Sequence, residues 1–79
     1  MTKANFEARL RGLQEIQPSR AFTVVLEDGK RFEVDRPDKV GFREGSAVFL
    51  APGGIPIFFD HEGVVNFVTA PANSSPNGE

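Results

Sequence analysis

Apolar positions along this chain follow two periods, and the change from one to the other divides it into a helix and a run of strands. Phe6, Leu10, Leu13 and Ile16 recur at spacings of four, three and three among polar neighbours, which is one stripe of an amphipathic helix of about three turns. Asn5 stands where an N-cap side chain would accept from a first-turn amide, Glu7 and Arg11 have the i,i+4 spacing of an attractive pair, and Pro18 stops the segment. Gly12 in mid-helix costs about 1 kcal/mol relative to alanine, so this helix is predicted to need packing against an apolar surface in order to persist.

From Phe22 the period becomes two. Phe22, Val24 and Leu26 alternate with Thr23, Val25 and Glu27, and the alternation resumes at Phe32 and Val34 beyond Asp28-Gly29, which predicts a β-hairpin. A two-residue turn at Asp28-Gly29 would set Leu26 opposite Arg31 and mix the faces. A three-residue loop, Glu27-Asp28-Gly29 with Gly29 left-handed, sets Val24 opposite Phe32 and Phe22 opposite Val34, so all five large apolar side chains share one face.

Arg36-Pro37-Asp38 bends the chain, and Val40 and Phe42 continue the second strand or begin another before the turn at Arg43-Glu44-Gly45. Ser46 to Ala51 reads as a third strand, Pro52-Gly53-Gly54 as a turn, and Ile55 to Asp60 as a fourth strand. Pro56 cannot donate to a ladder, which puts that strand at an edge. Asp60-His61-Glu62-Gly63 is a tight turn, and Val64 to Ala70 is a fifth strand. The predicted fold is mainly β with an N-terminal α-helix: a five-stranded, strongly bent antiparallel small barrel in one domain over residues 5–70. The polar stretch over 71–79, rich in proline, serine and asparagine, is expected to be a disordered tail.

The fourth and fifth strands are apolar on both faces. Alternation places Ile55, Ile57 and Phe59 on one side with Phe58 on the other, then Val65 and Phe67 on one side with Val64 and Val68 on the other. One face meets the core, and the second either meets the helix or forms a subunit interface by edge-to-edge pairing; the two readings are compatible.

Composition narrows the functional classes. A chain of 79 residues buries only roughly 60% of the surface its unfolded form exposes, and small domains offset the ordering entropy with disulfides, metals or partner subunits. There is no cysteine and one histidine, His61, so oligomerisation or a core built on the eight phenylalanines has to serve. Net charge is −2, with a balance of +1 over residues 1–36 and −3 over 37–79, so the whole-molecule field does not draw nucleic acid. No apolar run approaches the roughly 18 residues needed to cross a bilayer, and Met1 to Asn5 lack the character of a secretory signal, so the expected address is cytoplasmic, with no membrane contact.

Candidate chemistry is sparse. Asp60-His61-Glu62 holds three ligand types, but adjacent turn residues point apart, and a structural zinc site needs four spaced ligands. Ser19 and Ser46 lie in no nucleophile pattern, and Gly53-Gly54 precedes a strand rather than a phosphate-cradling helix. The reading is non-enzymatic and without cofactor. Arg9, Arg11, Lys30, Arg31 and His61, with Arg20 beside them, are the candidate contacts for RNA or a protein partner, and Phe58 is the aromatic least suited to the core and the candidate for base stacking.

A helix followed by a bent five-strand meander, with an Asp-Gly hairpin early and a very short turn late, resembles the Sm-like fold in its bacterial Hfq form. Val25-Leu26-Glu27-Asp28-Gly29-Lys30 looks like that family's first motif and Phe58-Phe59-Asp60-His61-Glu62-Gly63-Val64-Val65 like its second. The chain resembles more nearly a set of short uncharacterised bacterial proteins, through Phe6, Leu10, Leu13, Pro18, Phe22, Leu26, Asp28, Gly29, Phe32 and Val34. That second likeness implies an SH3-like or Sm-like barrel and no function; the Hfq likeness implies a ring joined through strands four and five. Where Hfq has lysine before its histidine, this chain has Asp60, followed by Glu62 after His61; an acidic pair repels the phosphate whose neutralisation drives such binding. The leading expectation is therefore a binding or scaffold module that self-associates through edge strands, with interface residues Ile55, Ile57, Phe58, Phe59, Val64, Val65, Phe67 and Val68. The alternatives are an RNA-binding Sm-like ring and a monomeric SH3-like accessory domain of a larger complex.

Overall fold

The computed structural model describes residues 1–69. The tail expected over 71–79, and Ala70 at the expected end of the last strand, lie outside the described residues.

Helix α1 spans Lys3–Glu15 and buries Phe6, Leu10 and Leu13, the stripe that the sequence marks out. Its N-cap is Thr2 rather than Asn5: the Thr2 hydroxyl accepts from the Asn5 amide at 3.1 Å, so Asn5 is the residue being capped. Glu7 and Arg11 do not pair with each other. Glu7 accepts from the Gly45 amide at 2.7 Å, and the Arg11 guanidinium lies 5.7 Å from the centre of the Phe42 ring. Tertiary partners thus replace the expected local pair.

Six strands follow: β1 (Phe22–Leu26), β2 (Arg31–Val34), β3 (Val40–Arg43), β4 (Ser46–Ala51), β5 (Ile55–Asp60) and β6 (Val64–Thr69). They form two three-stranded antiparallel sheets, ordered β2-β1-β6 and β3-β4-β5, and no ladder joins the sheets among the described residues. The fold is therefore mainly β with one N-terminal helix, as expected, but with six strands rather than five and without barrel closure. The extra strand arises at Pro37. Its ring is buried and opens a 3-10 turn over Pro37–Lys39, with Lys39 donating to the Arg36 carbonyl and Val40 to that of Pro37. Those local bonds take backbone groups that one long bent strand would have used in a ladder.

The first hairpin has the register of the three-residue loop. Phe22 stands opposite Val34 and Val24 opposite Phe32, Gly29 has φ +87°, and Leu26 donates to the Lys30 carbonyl at 2.8 Å. Between β3 and β4 the turn is two residues, Glu44 and Gly45, both at positive φ (52° and 83°), the mirror-image shape that matches strand twist. Gly45 is also required by contact: a Cβ there would lie 2.6 Å from His61 Cδ2.

In β6 the strict alternation fails. Leu26 pairs with Val64 and Val25 with Asn66, so Val65 is an extra residue in a bulge. The bulge shifts the phase by one and turns Val64 and Phe67 to the same side, both buried, while Val65 and Val68 face outward, about half exposed. Grouping Val65 with Phe67, as alternation does, is thereby corrected.

The core lies between the sheets and beneath α1. The Phe6 ring meets Phe59 of β5 edge-on at 5.9 Å and Phe67 of β6 at 5.8 Å, so one helical side chain joins both sheets. Phe22 meets Phe67 and Phe32 meets Phe59, both edge-on, the geometry that the ring quadrupoles favour. Among the described residues no polar or charged side chain is buried. The helix packs on the core side, so the outer faces of β5 and β6 are left to solvent.

Candidate functional site

Two open sheets have four edge strands, and each edge carries backbone groups that need a partner or water. At β3, Val40 donates to the Pro37 carbonyl, and its own carbonyl accepts from Gln14 Nε2 of α1 at 2.6 Å. At β6, the Phe67 carbonyl accepts from the Arg9 guanidinium of α1 at 2.9 Å, and the Phe67 amide donates to Asn66 Oδ1 at 2.8 Å. The edge strand β2 is four residues long and turns the charged Arg31 and Glu33 outward. Short, charged or side-chain-covered edges resist the addition of another strand.

The fourth edge, β5, is different. It is six residues long and among the described residues pairs only with β4, from Ser46 opposite Asp60 to Ala51 opposite Ile55. His61 donates to the Gly45 carbonyl at 2.8 Å, one step beyond that ladder. Backbone direction alternates along a strand, so Phe59 and Ile57 also turn theirs toward β4, and Asp60, Phe58 and Pro56 turn theirs to the open edge. Pro56 has no N–H, and the Asp60 carbonyl accepts from the Gly63 amide in the following turn at 3.2 Å. The groups left open among the described residues are the Phe58 N–H and carbonyl, the Asp60 N–H and the Pro56 carbonyl.

Side chains at this edge are apolar and exposed. Phe58 is 76% exposed, the most of any large hydrophobic side chain described, and Ile55 is 60% exposed. Phe58 stands opposite Val48, which stands opposite Gly41 on its other side. Because Gly41 has no side chain, a shallow hollow of about 310 Å³ opens over this strip, with Arg43 and Ser46 at its border. A second hollow, of about 370 Å³, lies beside Phe58 and Asp60, against Leu26, Glu27 and Asp28 of the first hairpin.

The residues singled out from sequence divide accordingly. Of the expected interface set, Phe58, Ile55, Val65 and Val68 lie on the surface and Ile57 is half-buried against the core, whereas Phe59, Val64 and Phe67 are core residues, turned inward by strand phase and by the bulge. Among the cationic candidates, Lys30 and Arg31 are exposed. Arg9 covers the β6 edge and lies 5.9 Å from the centre of the Phe67 ring, and Arg11 rests over Phe42. His61 is half-buried, its Nδ1 3.1 Å from the Met1 carbonyl and its ring edge-on to Phe6. Gln14 was not singled out from sequence, and nothing in the sequence pattern marks it: its partners lie 23 and 26 residues away.

Asp60, His61 and Glu62 do not converge. Asp60 Oδ1 accepts from the Gly63 amide at 2.9 Å, and His61 turns toward Met1. No group of three metal-ligating side chains is drawn together among the described residues, and no helix there is long and apolar enough to cross a membrane. A hydrogen bond from Arg36 holds the Asp38 carboxyl below its ordinary range, and both groups are largely solvent-exposed.

Comparison of the chain with protein families, with curated proteins and with solved structures gives no match.

Proposed function

We propose that this protein is a non-enzymatic binding or scaffold module that acts by self-association through an exposed edge strand. The observation that carries the reading is the contrast among the four edges: β3 is four residues long with the Val40 carbonyl held by Gln14, β6 has the Phe67 carbonyl and amide held by Arg9 and Asn66, β2 is short and charged, and β5 is six residues long, open and flanked by Phe58 and Ile55. An apolar edge of that kind is a template for strand addition. An SH3-like or Sm-like relation would rest on the order of one helix followed by short antiparallel strands, not on a closed barrel, since no ladder joins the two sheets among the described residues. The RNA-binding ring draws less support, since Arg9, Arg11 and His61 spend polar groups or ring faces on internal contacts, and Glu27, Asp28 and Asp60 border the hollow beside Phe58.

Size-exclusion chromatography with light scattering, across a concentration series up to about 1 mM, tests the proposal. One short strand pair lies at the small end of stable interfaces, below about 1,200 Å², so the mass is expected to rise with concentration. A mass of 8.6 kDa at every concentration would leave the monomeric accessory domain as the reading. Fluorescence anisotropy with short uridine and adenosine oligomers is expected to show no binding at low salt, and binding there would favour the ring.

A further inference from the structure

We infer that the partner of the open β5 edge is the β5 edge of a second copy, paired antiparallel about a two-fold axis at Phe58. This rests on the self-association reading and adds to it the register, the symmetry and the stoichiometry.

The argument is a hydrogen-bond balance. The edge offers two donors, the N–H groups of Phe58 and Asp60, and two acceptors, the carbonyls of Phe58 and Pro56. With Phe58 opposite the second copy's Phe58, the two residues exchange both backbone bonds. Two residues away on each side, Asp60 then faces Pro56 of the other copy, and its N–H meets the Pro56 carbonyl. The remaining acceptor in that pair, the Asp60 carbonyl, would face the nitrogen of proline, which has no hydrogen. That carbonyl already shares the Gly63 amide of its own chain, at 3.2 Å, with Asp60 Oδ1 at 2.9 Å. Every edge group therefore finds a partner in this one register, and shifting it by one residue would aim inward-bonded groups at the partner.

Side chains agree with the register. Residues directly opposite in an antiparallel pair share a face, so the two Phe58 rings, each 76% exposed in the monomer, come together on the outer face and extend the Gly41-Val48-Phe58 strip across the axis. The two sheets become one of six strands, β3-β4-β5 continued by β5-β4-β3 of the other copy. The Asp60 residues lie two positions from the axis on opposite sides, about 13 Å apart at the rise of a strand, beyond a Debye length of about 8 Å. A ring joining β5 to β6 of the next copy would instead have to displace Arg9 and Asn66 from Phe67.

Single-cysteine crosslinking reads the axis directly, because the chain has no cysteine of its own. The Phe58→Cys variant is expected to give a covalent dimer under mild oxidation, and Val68→Cys, on the exposed face of β6, is expected to remain single. Light scattering of the wild type should approach twice 8.6 kDa and go no higher. Phe58→Pro removes the axial donor from a position where the monomer does not use it and should halve the mass; Phe58→Asp, which sets two like charges opposite each other, should do the same should the proline variant lose its far-UV circular dichroism. An oligomer in which Phe58→Cys fails to crosslink with itself but crosslinks with Val68→Cys in a mixture would overturn the two-fold arrangement and leave self-association standing. A wild type monomeric at all concentrations would overturn both.

Discussion

Removing the Phe6 ring tests whether the helix is part of the core or an appendage to it. Phe6 is fully buried and touches Phe59 of one sheet and Phe67 of the other. An aromatic side chain buries about 150–250 Å², worth about 4–6 kcal/mol as an upper estimate, and the alanine methyl keeps part of that. Phe6→Ala is thus expected to cost about 3–5 kcal/mol, the range for such truncations. A domain of this length holds about 4–12 kcal/mol in all, so the loss takes much or all of its stability. The melting temperature should fall by at least 12 °C, at about 4–8 °C per kcal/mol. The chain has no tryptophan or tyrosine, so far-UV circular dichroism in urea is the suitable assay, with Leu50→Ala, at a half-exposed surface position, as a control expected to stay within about 0.5 kcal/mol. A Phe6→Ala loss below about 1 kcal/mol would refute the placement of α1 as the element that joins the two sheets.

Four further outcomes follow from particular residues. Gly12→Ala should raise stability by about 0.5–1 kcal/mol in the same urea experiment, since the added methyl meets nothing within 4 Å on an exposed helical site. Gly45→Ala should lower it by about 1–3 kcal/mol, because φ is +83° and the new Cβ would collide with His61; an unchanged midpoint would count against the turn geometry. Arg9→Ala should cost about 1–2 kcal/mol and, by uncovering the Phe67 carbonyl, raise the mass seen by light scattering above that of the wild type, a rise that Arg31→Ala should not produce. Asp38 titrates below its ordinary value when folded, so its small contribution is present above the ordinary carboxylate range and is lost as pH falls through the lowered value. Arg36→Gln should move the carboxyl titration upward when followed by ¹³C NMR.

Local rules carried much of the fold. The 3-4-3 stripe located α1, the demand that five apolar side chains share one face chose the right hairpin loop, and the missing N–H of Pro56 put β5 at an edge. Phe58, the aromatic that fits core spacing least, is the exposed one. What escaped the sequence depends on distant partners. The Val65 bulge is a phase shift that only the β1–β6 register reveals, and it reassigned Val64 and Phe67. Pro37 was legible as a bend, but whether it divides a strand depends on where the neighbouring amides donate. Arg9 reads as a candidate contact for an outside partner, and Gln14 as an ordinary polar helix position. Their edge-covering roles span 58 and 26 residues of chain, a distance at which no periodicity speaks.

The helix that covers those edges also precedes them in translation order. At about 5–20 residues per second, the 58 residues between Arg9 and Phe67 take about 3–12 s to synthesise, and α1 has left the ribosome before the β6 edge exists. The segment that will cover the edge is therefore already at hand when that strand emerges. Moving the helix to the far end of the gene by circular permutation would reverse that order, and each nascent chain would then present bare strands to its neighbours on the same messenger.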